Sequence, residues 1–239
     1  MILILIAIIS VVQSLFGVGL LLFGTPILLF VGYTFPAALS ILLPASLTIS
    51  VLQLMVDKSV GRAHLWSFML FGLPFLALGL IANLSGVLKL NIEVMVALLL
   101  ILSGALRLFS GPKRWLSVLF AKHANVALAT TGLLHGLTNM GGSLLSIYCS
   151  SAFEEKKLVR QHIALGYACF AATQLIILAA TGALELSLTQ LYAACLAALV
   201  YLFCGQTLFR RVNSAGYNLL FSAFMVACAG LMLSKKYLF

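Results

Sequence analysis

Apolar runs of about twenty residues, the length that a helix needs to cross the hydrocarbon core of a bilayer, recur along this sequence. Hydrophobic residues make up 63% of the chain and charged residues 8%, a balance that soluble domains do not reach. A transmembrane β-barrel would instead alternate apolar and polar residues in segments of about ten. The pattern therefore predicts an all-α fold, a polytopic transmembrane helical bundle. Uninterrupted spans are predicted at 36–56, 64–85, 90–109, 158–181, 188–208 and 216–234.

Two further apolar regions, 1–31 and 124–150, are interrupted near their middles by glycine-rich sequence. The first contains the string FGVGLLLFGTP and the second contains HGLTNMGGS. The pieces on either side of the first interruption would form helices of about 22 Å and about 18 Å, shorter than a hydrocarbon core of about 30 Å. We therefore predict pairs of half-helices that meet at a tip. Residues 17–24 are called the first tip and residues 135–143 the second tip.

The two interrupted regions align with each other. When GVG of the first tip is placed over NMG of the second tip, Gln13 falls over His135. With a one-residue slip further along the chain, Gln53 falls over Gln174. The sequence therefore contains an internal repeat.

This repeat predicts three parts: a first transmembrane repeat at 1–110, a connecting loop at 111–123 and a second transmembrane repeat at 124–239. Each repeat consists of a Gly-interrupted helical segment, either re-entrant or crossing, followed by three spans. Duplicated halves with interrupted helices at matching positions are typical of transporters whose substrate site lies at the repeat interface.

The chain has a net charge of +9, and its Lys and Arg residues lie in short joints between apolar runs. Such joints are typical of cytoplasmic loops and do not indicate nucleic-acid binding. If both interrupted regions cross the membrane, the 14 basic residues divide 8 to 6 between its two sides. If each interrupted region instead enters the membrane and leaves it on the same side, the division is 11 to 3. Because cytoplasmic loops are enriched in Lys and Arg, this division favours inverted halves with both termini outside. The larger group is then Lys58, Arg62, Arg107, Lys113, Arg114, Lys122, Lys156, Lys157, Arg160, Arg210 and Arg211.

The two tips are the candidate substrate-binding site. The start of a helix favours an anion, because unpaired N–H groups and the positive end of the helix dipole point outward there. The alternative for each glycine is close helix packing. The candidate residues are Gly17, Gly19 and Gly24 in the first tip and His135, Thr138, Asn139, Gly141, Gly142 and Ser143 in the second.

Polar residues on the spans that follow the tips extend this candidate site. Gln53 and Gln174 are paired by the repeat, and each amide fits a substrate pathway or an interhelical hydrogen bond equally well. Further candidates are Ser46, Ser50, Tyr167, Arg160 and His162. The last two lie near the start of a span, where a basic side chain usually reaches out to the membrane interface.

The sequence contains no H-E-x-x-H or G-x-S-x-G string and no ATP-binding loop. Its five acidic residues lie at span ends, and its five cysteines form no C-x-x-C pair. We therefore predict no enzyme activity, no metal site and no cofactor. The predicted partners are the lipid bilayer and a small anionic substrate, and a homo-oligomer is left open. The predicted location is a bacterial-type inner cell membrane, crossed several times.

The first tip resembles a motif of the TauE/SafE sulfite exporter family, G-x-G-G-G-x-x-x-x-P. Gly17, Gly19 and Pro26 match this motif, whereas Leu20 and Leu21 replace two of its glycines. The polar joint DKSVGRAHLW is similar to the loop that follows the second span in the family.

The second tip resembles the corresponding G-x-G-G-P-P-like motif of the family. Gly141 and Gly142 match, whereas Asn139 and Ser143 depart from it. The resemblance covers essentially the whole chain and implies a secondary transporter, an exporter of small anions such as sulfite or organosulfonates. An anion channel or a structural membrane partner subunit is the alternative.

Overall fold

A computed structural model of the chain describes residues 2–56, 62–86, 94–96, 98–99, 101–102 and 109–211. All regular secondary structure in these residues is helical, as predicted. Four helices in this part of the chain are long and apolar enough to cross a membrane: Phe35–Val56, His64–Leu84, Lys156–Ala180 and Leu188–Phe209. They confirm four of the predicted spans.

The structure does not test the other two predicted spans. The span at 216–234 lies outside the described residues, and so does most of the span at 90–109. The basic residues that decide the 11-to-3 division also fall partly outside them, so the topology of the chain stays a prediction.

The α-helices whose bounds the structure describes are numbered here in chain order. They are α1 (Ile2–Phe16), α2 (Thr25–Val31), α3 (Phe35–Val56), α4 (Arg62–Ser67), α5 (Leu73–Leu84), α6 (Ser110–Lys122), α7 (Ala124–Thr138), α8 (Gly142–Ala152), α9 (Lys156–Ala180), α10 (Leu188–Val200) and α11 (Gln206–Arg211).

Three five-residue π-helical turns join consecutive helices in the described part of the chain. They are Leu20–Gly24 before α2, Phe68–Gly72 between α4 and α5, and Tyr201–Gly205 between α10 and α11. Each turn ends in glycine. Such turns are rare and frequently lie at functional sites, and the helical periodicity of the sequence did not reveal them.

Both interrupted regions contain a helix break at the predicted place. α1 ends before Gly17, which has a φ of 74°, and α7 ends before Asn139, which has a φ of 62°. Glycine adopts this left-handed conformation without steric cost, and asparagine adopts it more readily than most other residues. Each helix therefore stops because a left-handed residue follows its last turn.

Helices α5 and α7 pack closely because glycines line their contact. A Cβ atom at Gly132 would overlap the backbone oxygen of Gly72, and one at Gly136 would overlap that of Leu76. On the other side, a Cβ atom at Gly79 would lie 2.5 Å from a backbone oxygen of α7. Small residues allow two membrane helices to approach in this way.

The long helices α3 and α9 pack against each other, and α10 also packs against α3. The predicted connecting loop at 111–123 largely coincides with helix α6, which packs against α8. The division of the chain into two repeats joined at this point stays a prediction.

Candidate functional site

The first tip is tied to α3 by the side chain of Gln13. Its Nε2 atom donates to the backbone oxygen of Ser46 at 3.0 Å and to the hydroxyl of Ser46 at 2.9 Å. Its Oε1 atom accepts a hydrogen bond of 3.0 Å from the backbone N–H of Leu20, the first residue after the break. A longer bond of 3.3 Å reaches the hydroxyl of Ser50. Gln13 therefore closes the turn of the first tip and fixes it to the neighbouring span.

Two further donors satisfy the carbonyl groups at the end of α1. Gln53 donates from Nε2 to the backbone oxygens of Gln13 at 3.2 Å and Ser14 at 3.1 Å. Arg160 donates from Nη1 to the same Ser14 oxygen at 3.3 Å. A cation is favourable here because the C-terminal end of a helix carries partial negative charge.

Arg160 is buried, with 2% of its surface exposed. It does not reach out to an interface as a basic residue near a span start usually does. Its Nη2 atom donates to the side chain of Gln206 at 3.3 Å, and its guanidinium lies 3.5 Å from the centre of the Phe209 ring. The sequence did not predict these contacts, because α9 and α11 are far apart in the chain and meet only through the packing of the helices.

The glycines of the first tip are surrounded by protein atoms. A Cβ atom at Gly19 would lie 2.6 Å from the backbone nitrogen of Gln13, and one at Gly24 would lie 2.7 Å from the side chain of Leu42. A Cβ atom at Gly17 would lie 2.9 Å from Ile163. All three positions therefore require a small residue for the tip to pack.

The second tip repeats part of the backbone geometry of the first. Gly17 and Asn139 are both left-handed, whereas the aligned residues Gly19 and Gly141 differ, with φ values of 172° and −61°. Gly17 donates from its N–H to the backbone oxygen of Gln13 at 2.8 Å, and Asn139 donates to that of His135 at 2.7 Å. A Cβ atom at Gly141 would lie 2.6 Å from the Cβ of His135, just as one at Gly19 would meet Gln13. These are the residues that the sequence alignment pairs.

Side chains of the second tip join it to the segment that follows the first tip. Asn139 donates from Nδ2 to the hydroxyl of Thr25, the first residue of α2, at 2.8 Å. Thr138 donates to the backbone oxygen of Leu134 at 2.6 Å, and Ser143 donates to that of Met140 at 3.4 Å. Both hydroxyls thus bond to backbone oxygens three or four residues earlier in the chain.

Four buried polar residues beside the second tip form a group that we call the second-tip cluster: Thr131, His135, Tyr167 and Gln174. All four are fully buried. The His135 ring stacks on Phe170 with centroids 4.8 Å apart and meets the Tyr167 ring edge-on at 5.7 Å. Gln174 faces the His135 ring, but the geometry between them falls short of a hydrogen bond.

None of the side-chain polar atoms of the second-tip cluster has a hydrogen-bond partner among the described residues. This holds for both ring nitrogens of His135, the Tyr167 hydroxyl, both amide atoms of Gln174 and the Thr131 hydroxyl. Buried polar atoms in native proteins are nearly always paired, because leaving one unpaired costs about 1–3 kcal/mol. The cluster therefore holds buried donors and acceptors that the described part of the protein leaves unpaired.

The cluster also borders the start of α8. A Cβ atom at Gly142 would overlap the hydroxyl of Tyr167, so this hydroxyl lies directly against the first residue of that helix. Thr131 was not predicted as a site residue. Its position one helical turn before His135, on the same face of α7, is the signal that could have revealed it.

His162 lies on a different face of α9 from Tyr167, because five residues separate them. Its Nδ1 atom lies 2.8 Å from the backbone oxygen of Leu158. Its ring stacks on Phe153 at 3.9 Å and meets His64 edge-on at 4.6 Å. The structure does not bring His162 to the second-tip cluster.

The described residues thus define a multi-pass α-helical membrane protein with two broken helices inside its packed core. The family model described as Sulfite exporter TauE/SafE matches residues 2–232. The chain therefore belongs to the TauE/SafE sulfite exporter family, which is a family of transporters and not of enzymes. No curated protein and no solved structure gave a significant match.

Proposed function

We propose that this protein is a secondary transporter that exports small anions such as sulfite or organosulfonates, and that it binds them where the two tips meet. The observation that carries this proposal is the pair of matching helix breaks, joined by the bond from Asn139 to Thr25. Broken helices inside a membrane protein are tolerated where they are buried in protein or line a water-filled cavity, and in transporters they typically form the substrate site. Membership of a family described as sulfite exporters supports the choice of substrate.

The packing of the broken helices supports an arrangement of two related halves. α1 packs against α10 and the π turn Tyr201–Gly205, and α7 packs against α5 and the π turn Phe68–Gly72. Each broken helix thus contacts a π-containing span that belongs to the other predicted half. This reciprocity is expected of inverted repeats, whose substrate sites lie at the repeat interface.

The energy for transport would come from an ion gradient or from the gradient of the anion itself, because the sequence contains no ATP-binding loop. The proposed location is a bacterial-type inner membrane with both termini outside. The interrupted segments would then be re-entrant, which gives the 11-to-3 division of basic residues.

Purified protein in proteoliposomes tests this proposal. We expect saturable uptake of radiolabelled sulfite that is accelerated when unlabelled sulfite is loaded inside the vesicles, since counterflow is a property of carriers. Uptake that neither saturates nor shows counterflow would indicate an anion channel. No uptake above that of empty vesicles, for sulfite or for sulfonates, would contradict transport by this chain alone and favour a structural partner subunit.

A further inference from the structure

We propose that the second-tip cluster is the part of the site that holds the anion, and that it selects oxyanions with one negative charge over those with two. This inference rests on the proposed transport function and narrows it to one half of the molecule and one class of substrate. It follows from a difference between the two tips that the sequence repeat does not show.

The first tip uses its polar side chains to hold the protein together. Gln13 bonds to Leu20 and Ser46, and Gln53 bonds to the carbonyl groups at the end of α1. At the aligned positions of the second half, His135 and Gln174 make no hydrogen bond within the described residues. The same alignment places Tyr167, whose hydroxyl is also unpartnered, opposite Ser46, which is bonded to Gln13.

The start of α8 adds the positive end of a helix dipole at the same place. This helix has 11 residues, so its dipole places partial positive charge at Gly142. The unpartnered hydroxyl of Tyr167 lies against that residue, and Tyr167 is fully buried. In the first tip the corresponding position is occupied, because Gln13 accepts the hydrogen bond of the Leu20 N–H. The Gln13 side chain thus covers the helix start in the first tip, whereas an unpartnered, buried hydroxyl lies at the helix start in the second tip.

The chemistry of the cluster favours a singly charged ligand. Its side chains are a phenol, an alcohol, an amide and an imidazole, each of which can both donate and accept a hydrogen bond. Arg160 lies on α9, as Tyr167 and Gln174 do, but its guanidinium contacts Ser14, Gln206 and Phe209. Because the Born cost of burying an ion grows with the square of its charge, an uncharged site penalises a dianion far more than a monoanion.

The expected ligands are therefore sulfonates and hydrogensulfite, whereas sulfate and fully ionised sulfite should bind poorly. A sulfonate offers three oxygens to the donors of the cluster and carries one charge. Hydrogensulfite also carries a proton that one of the acceptors in the cluster can bind.

Two ligands of fixed charge test the inference. Methanesulfonate is a monoanion and sulfate a dianion at neutral pH, and both can be titrated against purified protein at constant ionic strength, with binding followed by thermal shift and calorimetry. We expect the native chain to bind methanesulfonate at least about tenfold more tightly than sulfate. Sulfate binding that is equal or tighter would overturn the proposed selectivity.

Three variants locate the site. Tyr167→Phe and Gln174→Leu each remove unpartnered polar atoms, so each should weaken methanesulfonate binding by about tenfold, as expected for one lost hydrogen bond. Their unfolding temperatures should equal or exceed that of the native protein, because no bond within the protein is lost. Tyr192→Phe is the matched control, since Tyr192 is exposed on α10, and it should bind methanesulfonate normally.

The outcomes separate this inference from the proposed function. If the native protein binds neither anion and transports neither sulfite nor sulfonates, the proposed function fails. If it binds methanesulfonate and the Tyr167 and Gln174 variants bind it equally well, the cluster is not the site, although the protein remains an anion transporter. If either variant loses its fold, the removed atoms have a structural partner, which also contradicts the inference.

Discussion

Asn139 donates a hydrogen bond of 2.8 Å to the hydroxyl of Thr25, joining residues that lie 114 positions apart in the chain. One belongs to the second tip and the other begins the helix after the first tip. Both side chains are fully buried, so water does not replace the bond when it is broken. This contact couples the two broken segments directly.

Replacing Thr25 by valine should therefore destabilise the protein. The change keeps the shape of the side chain but leaves the Asn139 amide without its acceptor, which costs about 1–3 kcal/mol. The free energy of unfolding, measured by denaturant titration in detergent, gives the size of the effect. Thr48→Val is the control, because the Thr48 hydroxyl donates to Pro44 of its own helix and to no other element that the structure describes. Equal losses of unfolding free energy in the two variants would show that the bond between the two segments stabilises the protein no more than a bond within one helix.

Replacing Gln13 by leucine should cost considerably more than replacing Ser50 by alanine. The first change leaves the buried Leu20 N–H without its acceptor and removes the bonds from Gln13 to Ser46, with an expected loss of about 3 kcal/mol. The second removes an acceptor that, among the residues described, makes one bond of 3.3 Å, with an expected loss below about 1 kcal/mol. Unfolding temperatures of the two variants, purified in parallel, provide the comparison. A Gln13 variant as stable as the Ser50 variant would contradict the role of Gln13 in closing the first tip.

Replacing Gly136 by valine should prevent folding. A Cβ atom there would overlap the backbone oxygen of Leu76, and two packed backbones cannot separate locally without disrupting the contact between α5 and α7. The amount of monodisperse protein after detergent extraction measures the effect. Gly111→Ala is the control, because a Cβ atom at Gly111 would meet nothing within 4 Å and alanine favours the helix. Normal yield of the Gly136 variant would show that α5 and α7 can separate.

The charge division predicts that both termini lie outside the cell membrane. A fluorescent reporter that matures only in the cytoplasm should therefore remain dark when fused to the C-terminus, and a periplasmic phosphatase fused there should be active. The reverse pattern would place the C-terminus in the cytoplasm, contradict the predicted orientation and remove the main support for re-entrant segments.

The sequence correctly predicted four spans, and each predicted end lies within two residues of the end in the structure. The span predicted at 36–56, for example, is the helix Phe35–Val56. This succeeds because the length of an apolar run is a local property and the thickness of the bilayer is constant. It also located both helix breaks, because residues such as Gly17 and Asn139 adopt left-handed conformations that most other residues avoid. The π turns were missed, since they do not change the composition of a span.

The tertiary structure alone decided which of the predicted site residues pair with protein and which do not. Arg160 reaches Ser14, 146 positions away, although its place near a span start predicts an interfacial side chain. Gln53 and Gln174 align in sequence, yet only Gln53 finds partners among the described residues. Hydrogen bonds require distances correct to a few tenths of an ångström, which depend on how every packed helix is rotated and displaced. The sequence by itself therefore determined where the helices span and break, whereas the polar contacts at those breaks were decided by the packing of the whole chain.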